Sequence, residues 1–226
     1  MRKLQVAIDG PAGAGKSTVA RIVAERLGYT YIDTGAMYRA VALAAQRAGL
    51  DPADGAAMAE LAQGLHIEVR PDGNNPGGQV LLNGEDVSRA VRTPQVSEAV
   101  PRVAQNPAVR RTLVEQQKRL AAGGGVVMDG RDIGTVVLPE ADVKVFLTAS
   151  IDERTKRRLA ELGERGFEVE ALKVRTGIIE RDQLDRARTT SPLRRADDAR
   201  LLDSSGLSVE AVAQRILEWC KEAAAQ

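Results

Sequence analysis

Short apolar runs recur along the chain, and each stops on a polar residue or a glycine. Leu4-Gln5-Val6-Ala7-Ile8 ends at Asp9-Gly10, Val126-Val127-Met128 at Asp129-Gly130, and Val143-Lys144-Val145-Phe146-Leu147 at Thr148. Tyr29 to Ile32, before Asp33-Thr34-Gly35, and Arg200-Leu201-Leu202, before Asp203-Ser204, share the format. Runs of this length bounded by turn residues predict buried strands. Between them the spacing becomes helical. After Lys16, the residues Val19, Ile22, Val23 and Leu27 are predicted to share one face. Ser150-Ile151-Asp152-Glu153 has the form of a capping box opening a helix, and Ser208 is placed to cap the last one. In that last helix Val209, Val212, Ile216 and Cys220 recur at steps of three, four and four. Strands alternating with helices predict an α/β fold on a parallel sheet with right-handed crossovers.

Two stretches break the rhythm. From His66 to Val87, Ile67-Glu68-Val69, a turn cluster Pro71 to Gly78, Val80-Leu81-Leu82 and Asn83-Gly84 read as a small antiparallel insert with a tight turn at Asn83-Gly84. From Asp152 to Arg200 charge is dense and apolar spacing weak, as in an exposed helical segment.

Composition narrows the classes of function. The 226 residues amount to about one and a half nominal domains. A formal charge of +1 and 3% aromatic content disfavour wide gripping of a nucleic acid. One cysteine, Cys220, excludes an internal disulfide and fits a reducing compartment. No apolar run reaches the length of a membrane span, and the amino terminus does not read as a secretion signal. A cytoplasmic location is expected.

Gly10-Pro11-Ala12-Gly13-Ala14-Gly15-Lys16-Ser17 satisfies the G-x-x-x-x-G-K-[ST] phosphate loop, with a strand before it and an amphipathic helix after it. Glycines let the backbone curl so that N–H groups meet phosphate oxygens, and the helix directs its positive end there. Lys16 is expected to reach the outer phosphates and Ser17 to offer its hydroxyl to Mg²⁺. The loop alone does not separate hydrolases, switches and kinases. Asp33-Thr34-Gly35-Ala36-Met37-Tyr38-Arg39 places Thr34, Tyr38 and Arg39 at a strand-to-helix turn, readable as a binding set or as an N-cap and an ordinary helix. Asp129-Gly130-Arg131-Asp132 ends a buried strand. Asp129 is expected to orient Mg²⁺ directly or through water, Arg131 to offer a phosphate fork, and Asp132 to accept from an amine; the alternative is a solvated turn. Arg181, Asp185 and Arg188 lie at helical steps, and by themselves favour a surface ion-pair ladder. Arg154, Arg157 and Arg158 are read equally as a clamp on ATP or as a solvated face. For His66, Cys220 and Trp219 no role in a reaction is expected.

Taken together, these residues resemble the bacterial-type cytidylate kinases, within the nucleoside monophosphate kinases. The resemblance runs from about Gln5 to Ala223 and is most specific at Gly10 to Thr18, Asp33 to Arg39, Asp129 to Thr135, and Glu180-Arg181-Asp182 with Asp185 and Arg188. It implies one phosphate-loop kinase domain: a five-stranded parallel sheet core (residues 1–35, 123–150 and 196–226), a monophosphate-binding region (36–122) with a β insert near 66–93, and a helical lid (151–195). It implies transfer of the γ-phosphoryl group of ATP, with Mg²⁺, to CMP or dCMP by a monomer, with no nucleic-acid or membrane partner. Gly10 to Thr18 and Arg157 would bind ATP, and Lys16, Arg131, Arg154, Arg158 and Arg188 would serve catalysis. Tyr38, Arg39, Arg131 and Arg188 would hold the CMP phosphate, Arg110 and Asp132 would read the cytosine and Arg181 with Asp185 the ribose, with Thr34 also among the CMP-binding residues. One position departs: members of the family commonly place a serine where this chain has Pro101, and proline offers no side-chain hydrogen bond. That leaves cytosine selectivity looser or moves the contact elsewhere. The rivals are a kinase of another small acceptor such as UMP, and a nucleotide switch, against which no Asn-Lys-x-Asp motif is present.

Overall fold

A computed structural model describes residues 3–70, 78–164 and 166–225. In chain order the elements are β1 (Gln5–Asp9), α1 (Lys16–Leu27), β2 (Thr30–Asp33), α2 (Thr34–Arg47), α3 (Gly55–Gly64), β3 (Ile67–Arg70), β4 (Gln79–Leu82), β5 (Glu85–Asp86), α4 (Pro94–Val103), α5 (Pro107–Ala121), β6 (Val126–Gly130), β7 (Val143–Thr148), α6 (Ile151–Glu164), α7 (Ala171–Ala187), β8 (Arg200–Asp203) and α8 (Val209–Ala224). A short 3₁₀ turn (Ala90–Arg92) precedes α4, and a single π-helical turn (Ile133–Val137) follows β6. The five predicted core strands form one sheet of order β2-β6-β1-β7-β8, and β3-β4-β5 form the small second sheet. The chain divides into two compact units, residues 1–29 with 124–226, and residues 30–123.

In the first unit β1 runs parallel to β6 on one side and β7 on the other, with Ile8 opposite Asp129 and Asp9 opposite both Gly130 and Phe146. Val6, Ala7 and Ile8 are fully buried, as a strand covered on both faces requires. The buried stripe of α1 is Val19, Ala20, Val23 and Ala24, with Ile22 and Leu27 only half-buried. The predicted face is therefore turned by about one residue: α1 packs through its alanines, which bring the helix closer than isoleucine and leucine would. Ser208 caps α8 as predicted, accepting from the Ala211 N–H at 3.1 Å. Val212, Ile216 and Cys220 are buried there, whereas Val209 in the first turn is exposed. Half of the predicted capping box forms at α6. Ser150 Oγ accepts the Glu153 N–H at 3.2 Å, but Glu153 turns to Arg157 and the Ser150 N–H to Ser205 Oγ. Leu162, Val174 and Ile178 make a small core of their own for α6 and α7. At the surface Arg200 stacks 5.2 Å from the centre of the Trp219 ring.

Burial raises the Cys220 thiol to about 12. Alkylation by iodoacetamide at pH 8 should accordingly be at least about tenfold slower in the folded protein than in urea, as followed by mass spectrometry. Comparable rates would place the thiol outside the packed face of α8.

In the second unit α2 is buried along most of its length, and Met37, Val41, Met58, Val80, Val103, Val109 and Leu113 form its core. The antiparallel register puts Ile67 opposite Leu82 and Leu82 opposite Glu85. Asn83 and Gly84 adopt φ of 51° and 86°, the left-handed pair that a two-residue hairpin turn needs. The turn expected at Pro71 to Gly77 lies outside the described residues. His66, just before β3, is exposed and 3.1 Å from Glu68. Among the described residues no helix is long and apolar enough to cross a membrane.

Candidate functional site

The glycine-rich loop leaves the carboxyl end of β1, between β6 and β7, the position at which open α/β sheets collect ligands. Gly13 and Gly15 hold φ of 76° and 88°, which side-chain-bearing residues rarely adopt. The loop is braced from α6 and from the end of β8. Arg154 Nη1 donates to the Ala12 carbonyl at 3.2 Å, and Arg157 Nη1 and Ser204 Oγ donate to the Ala14 carbonyl at 3.3 and 3.2 Å. A trans peptide points its C=O and the next N–H in opposite directions. The N–H groups of Gly13 and Gly15 are thereby turned away from α6, as an anion-binding nest requires.

Lys16, buried at the start of α1, donates to the Pro11 carbonyl at 2.8 Å. Burial first, and then the Arg131 charge, push its ammonium down to about 7, with Arg181 adding and Asp129 opposing. Ser17 Oγ donates to Asp129 Oδ2 at 2.9 Å, so the loop hydroxyl and the carboxylate at the end of β6 are joined.

Arg131 and the α7 residues meet around one buried carboxylate. Asp185 is 1% exposed and accepts from Arg131 Nε at 2.8 Å and from Arg188. Burial by itself would raise its carboxyl; the guanidiniums of Arg131, Arg188 and Arg181 outweigh it and hold the group below the ordinary range. The surface-ladder reading of Arg181, Asp185 and Arg188 is thus overturned, because the main partner of Asp185 comes from the end of β6 and the pair is enclosed. The solvated-turn reading of residues 129–132 fails likewise, since Asp129 and Asp132 are both buried.

The three arginines of α6 divide. Arg154, 7% exposed, bonds the Ala149 carbonyl at 3.0 Å, Asp182 at 2.6 Å and the loop, and Arg157 also holds the loop. Arg158 pairs with Glu161 one turn along, and among the described residues no hydrogen bond or ion pair joins it to the loop.

In the second unit Asp33 does two things. Its Oδ1 caps α2 by accepting from the Ala36 N–H at 2.9 Å, and its Oδ2 accepts from Arg39 at 2.7 Å. Gly35 leaves the space this pair needs: a Cβ there would lie 3.1 Å from both Arg39 Nη1 and Asp33 Oδ1. The N-cap and the functional readings of this segment are therefore compatible. Thr34 and Tyr38 are buried on α2, and the Arg110 guanidinium sits 5.5 Å from the centre of the Tyr38 ring, with Nη1 3.4 Å from the Ala104 carbonyl. Pro101 lies inside α4.

Sequence reasoning gave no role to Asp9, Asp182 and Gly35, although the last two fall in segments that carry the resemblance; the signal at Asp9 was its position as the last residue of a strand.

The family described as cytidylate kinase matches residues 6–222 of this chain. The cytidylate kinase of Pelotomaculum thermopropionicum is 52% identical over 212 residues, 94% of this chain and 93% of that one. That of Bacillus subtilis is 50% identical over 217 residues, 96% of each. Among solved structures, an uncharacterized protein from Eubacterium ventriosum has the same fold at a TM-score of 0.55 and 12% identity, over 98% of this chain and 99% of that one.

Proposed function

The chain belongs to the cytidylate kinase family, and from that premise we propose that it transfers the γ-phosphoryl group of ATP to the phosphate of CMP or dCMP, yielding ADP and CDP or dCDP. The attacking atom is a phosphate oxygen, anionic near neutral pH, so no strong general base is needed. What remains is to align two polyanions against their mutual repulsion and to spread charge from the moving group. The observation that carries this reading is the set of charged groups at the phosphate loop: buried Lys16 bonds the loop at the Pro11 carbonyl, Ser17 is joined to the buried Asp129, and the charges of Arg131 and Arg181 act on Lys16. A polyphosphate placed among these groups is stabilised from several sides at once.

On this reading Gly10 to Thr18, with Arg157, bind ATP, and Arg154 holds the loop in shape. Tyr38, Arg39, Arg131 and Arg188 bind the acceptor phosphate and Thr34 also binds CMP; Arg110 and Asp132 read the base, and Arg181 and Asp185 the ribose. Ser17 Oγ and the buried Asp129 carboxylate form an all-oxygen pair, which suits Mg²⁺. They would hold the ion, which when bound neutralises phosphate charge. Residues 151–195 act as a lid that excludes water, so that the phosphoryl group goes to the acceptor.

Coupled detection of ADP, with ATP, Mg²⁺ and each of CMP, dCMP, UMP, AMP and GMP, tests the proposal. CMP and dCMP should exceed AMP and GMP by at least about a hundredfold in kcat/KM, the discrimination expected of hydrogen-bonded base reading. UMP should fall between, since Pro101 provides no hydrogen bond. ATP consumption indifferent to all five would favour the nucleotide switch and end this reading.

A further inference from the structure

Outside the residues assigned above, one buried carboxylate joins the loop that follows β1 to the segment that follows β6. Asp9 ends β1 and is 5% exposed. Its Oδ1 accepts from the Ile133 N–H at 2.8 Å and its Oδ2 from the Gly134 N–H at 2.7 Å, 124 and 125 residues along the chain. Those two donors open the π-helical turn Ile133–Val137, and the residue in its capping position, Asp132, makes no side-chain capping bond there. Asp9 therefore caps that turn from another strand. The turn begins immediately after Arg131 and Asp132, while Gly10, the first residue of the phosphate loop, follows Asp9 directly.

We propose that Asp9 is a positioning residue for the transfer: by gripping two consecutive N–H groups it sets where Arg131 and Asp132 stand relative to the phosphate loop. The inference rests on the phosphoryl transfer proposed above. Each carboxylate oxygen of Asp9 takes one of the two adjacent N–H groups, so both are held from one side chain. Burial raises the Asp9 carboxyl to about 7, with the two N–H bonds and Lys16 pulling against it and Asp132 adding to it. The group is thus retained at an energetic cost, which a merely space-filling residue would not incur. Gly134 belongs to the same contact, since a Cβ there would lie 3.3 Å from Lys144 Cδ and 3.4 Å from Asp9 Oδ2.

Asp9→Asn keeps the shape and one acceptor but turns an NH₂ toward an N–H. In this variant kcat should fall about a hundredfold, the scale of a misplacement near 1 Å. The KM for CMP should rise about tenfold while the KM for ATP stays within about threefold. Hydrogen exchange at Ile133 and Gly134 should quicken in the absence of any nucleotide. A destabilised but correctly shaped enzyme would show fewer active molecules with both KM values unchanged, and that outcome overturns the proposal. So does unchanged exchange at residues 133 and 134. If Asp9→Asn does not fold, Gly134→Ala presses on the same contact from the other side and should show the same split at smaller amplitude; unchanged constants would overturn the proposal. Should the wild type transfer to no monophosphate, the proposed function fails, and the exchange measurement alone decides whether Asp9 holds the turn.

Discussion

Arg131→Ala should lower turnover with CMP by about two to three decades while ATP affinity, measured by equilibrium binding, stays within about threefold. The magnitude is that of one preorganised charged donor removed from a developing negative charge, about 3–4 kcal/mol of transition-state stabilisation. The selectivity follows from where the side chain is anchored. Arg131 is held by Asp185 and by the Gly130 carbonyl, not by the phosphate loop. It also contributes to the depression of Lys16, so its removal leaves the Lys16 ammonium no weaker as an ATP ligand. Asp185 loses one of its guanidinium partners and keeps Arg188, so the carboxylate is not abandoned. Arg131→Lys should recover only part of the loss, because a single ammonium does not reproduce a fork that bonds Asp185 and a phosphate together. If ATP affinity fell in parallel with turnover, Arg131 would belong to the donor nucleotide and the proposed assignment would be wrong.

Gly10→Ala should abolish the fold or cost more than about 4 kcal/mol, which lies in the exceptional tail of single substitutions. A Cβ on Gly10 would stand 1.9 Å from the Leu147 carbonyl oxygen, and the glycine has φ of 149°. Neither side can yield. Asp9, just before Gly10, pairs with Phe146, just before Leu147, in the parallel ladder of β1 and β7. Gly28→Ala is the internal control: its φ of 65° is also left-handed, but a Cβ there meets nothing within 4 Å. It should cost only about 1–2 kcal/mol, the backbone strain alone. Urea unfolding of the two variants separates the contributions. Equal losses would mean that the approach to Leu147 is not what requires glycine at position 10.

How far the chain could be read without its structure follows the range of each interaction. The strands, the phosphate loop, the Ser208 cap and the turn at Asn83-Gly84 depend on neighbours within a few residues, and the order of side chains states them directly. Helices α3, α4 and α5 were signalled by Asp54, by Thr93-Pro94 and by Asn106-Pro107 at their starts. Val96, Val100 and Val103 mark the apolar face of α4, whereas alanine in α3 and arginine stems in α5 blur theirs.

The charged residues mark the boundary. Their identities are explicit in the chain, but whether Asp185 and Arg188 lie in solvent or in the interior is not. The ladder reading failed because an ion pair spaced for one helix looks the same whether the helix is exposed or packed. Its decisive partner, Arg131, lies 54 residues away and is brought in by the strand order. Asp9 was illegible for the same reason: its two N–H donors belong to backbone, which has no signature in a sequence, and are more than a hundred residues distant. Local pattern determines which elements form and which chemical groups the chain carries. The parallel crossovers alone decide which of those groups lose water together, and with that which charges become strong enough to act.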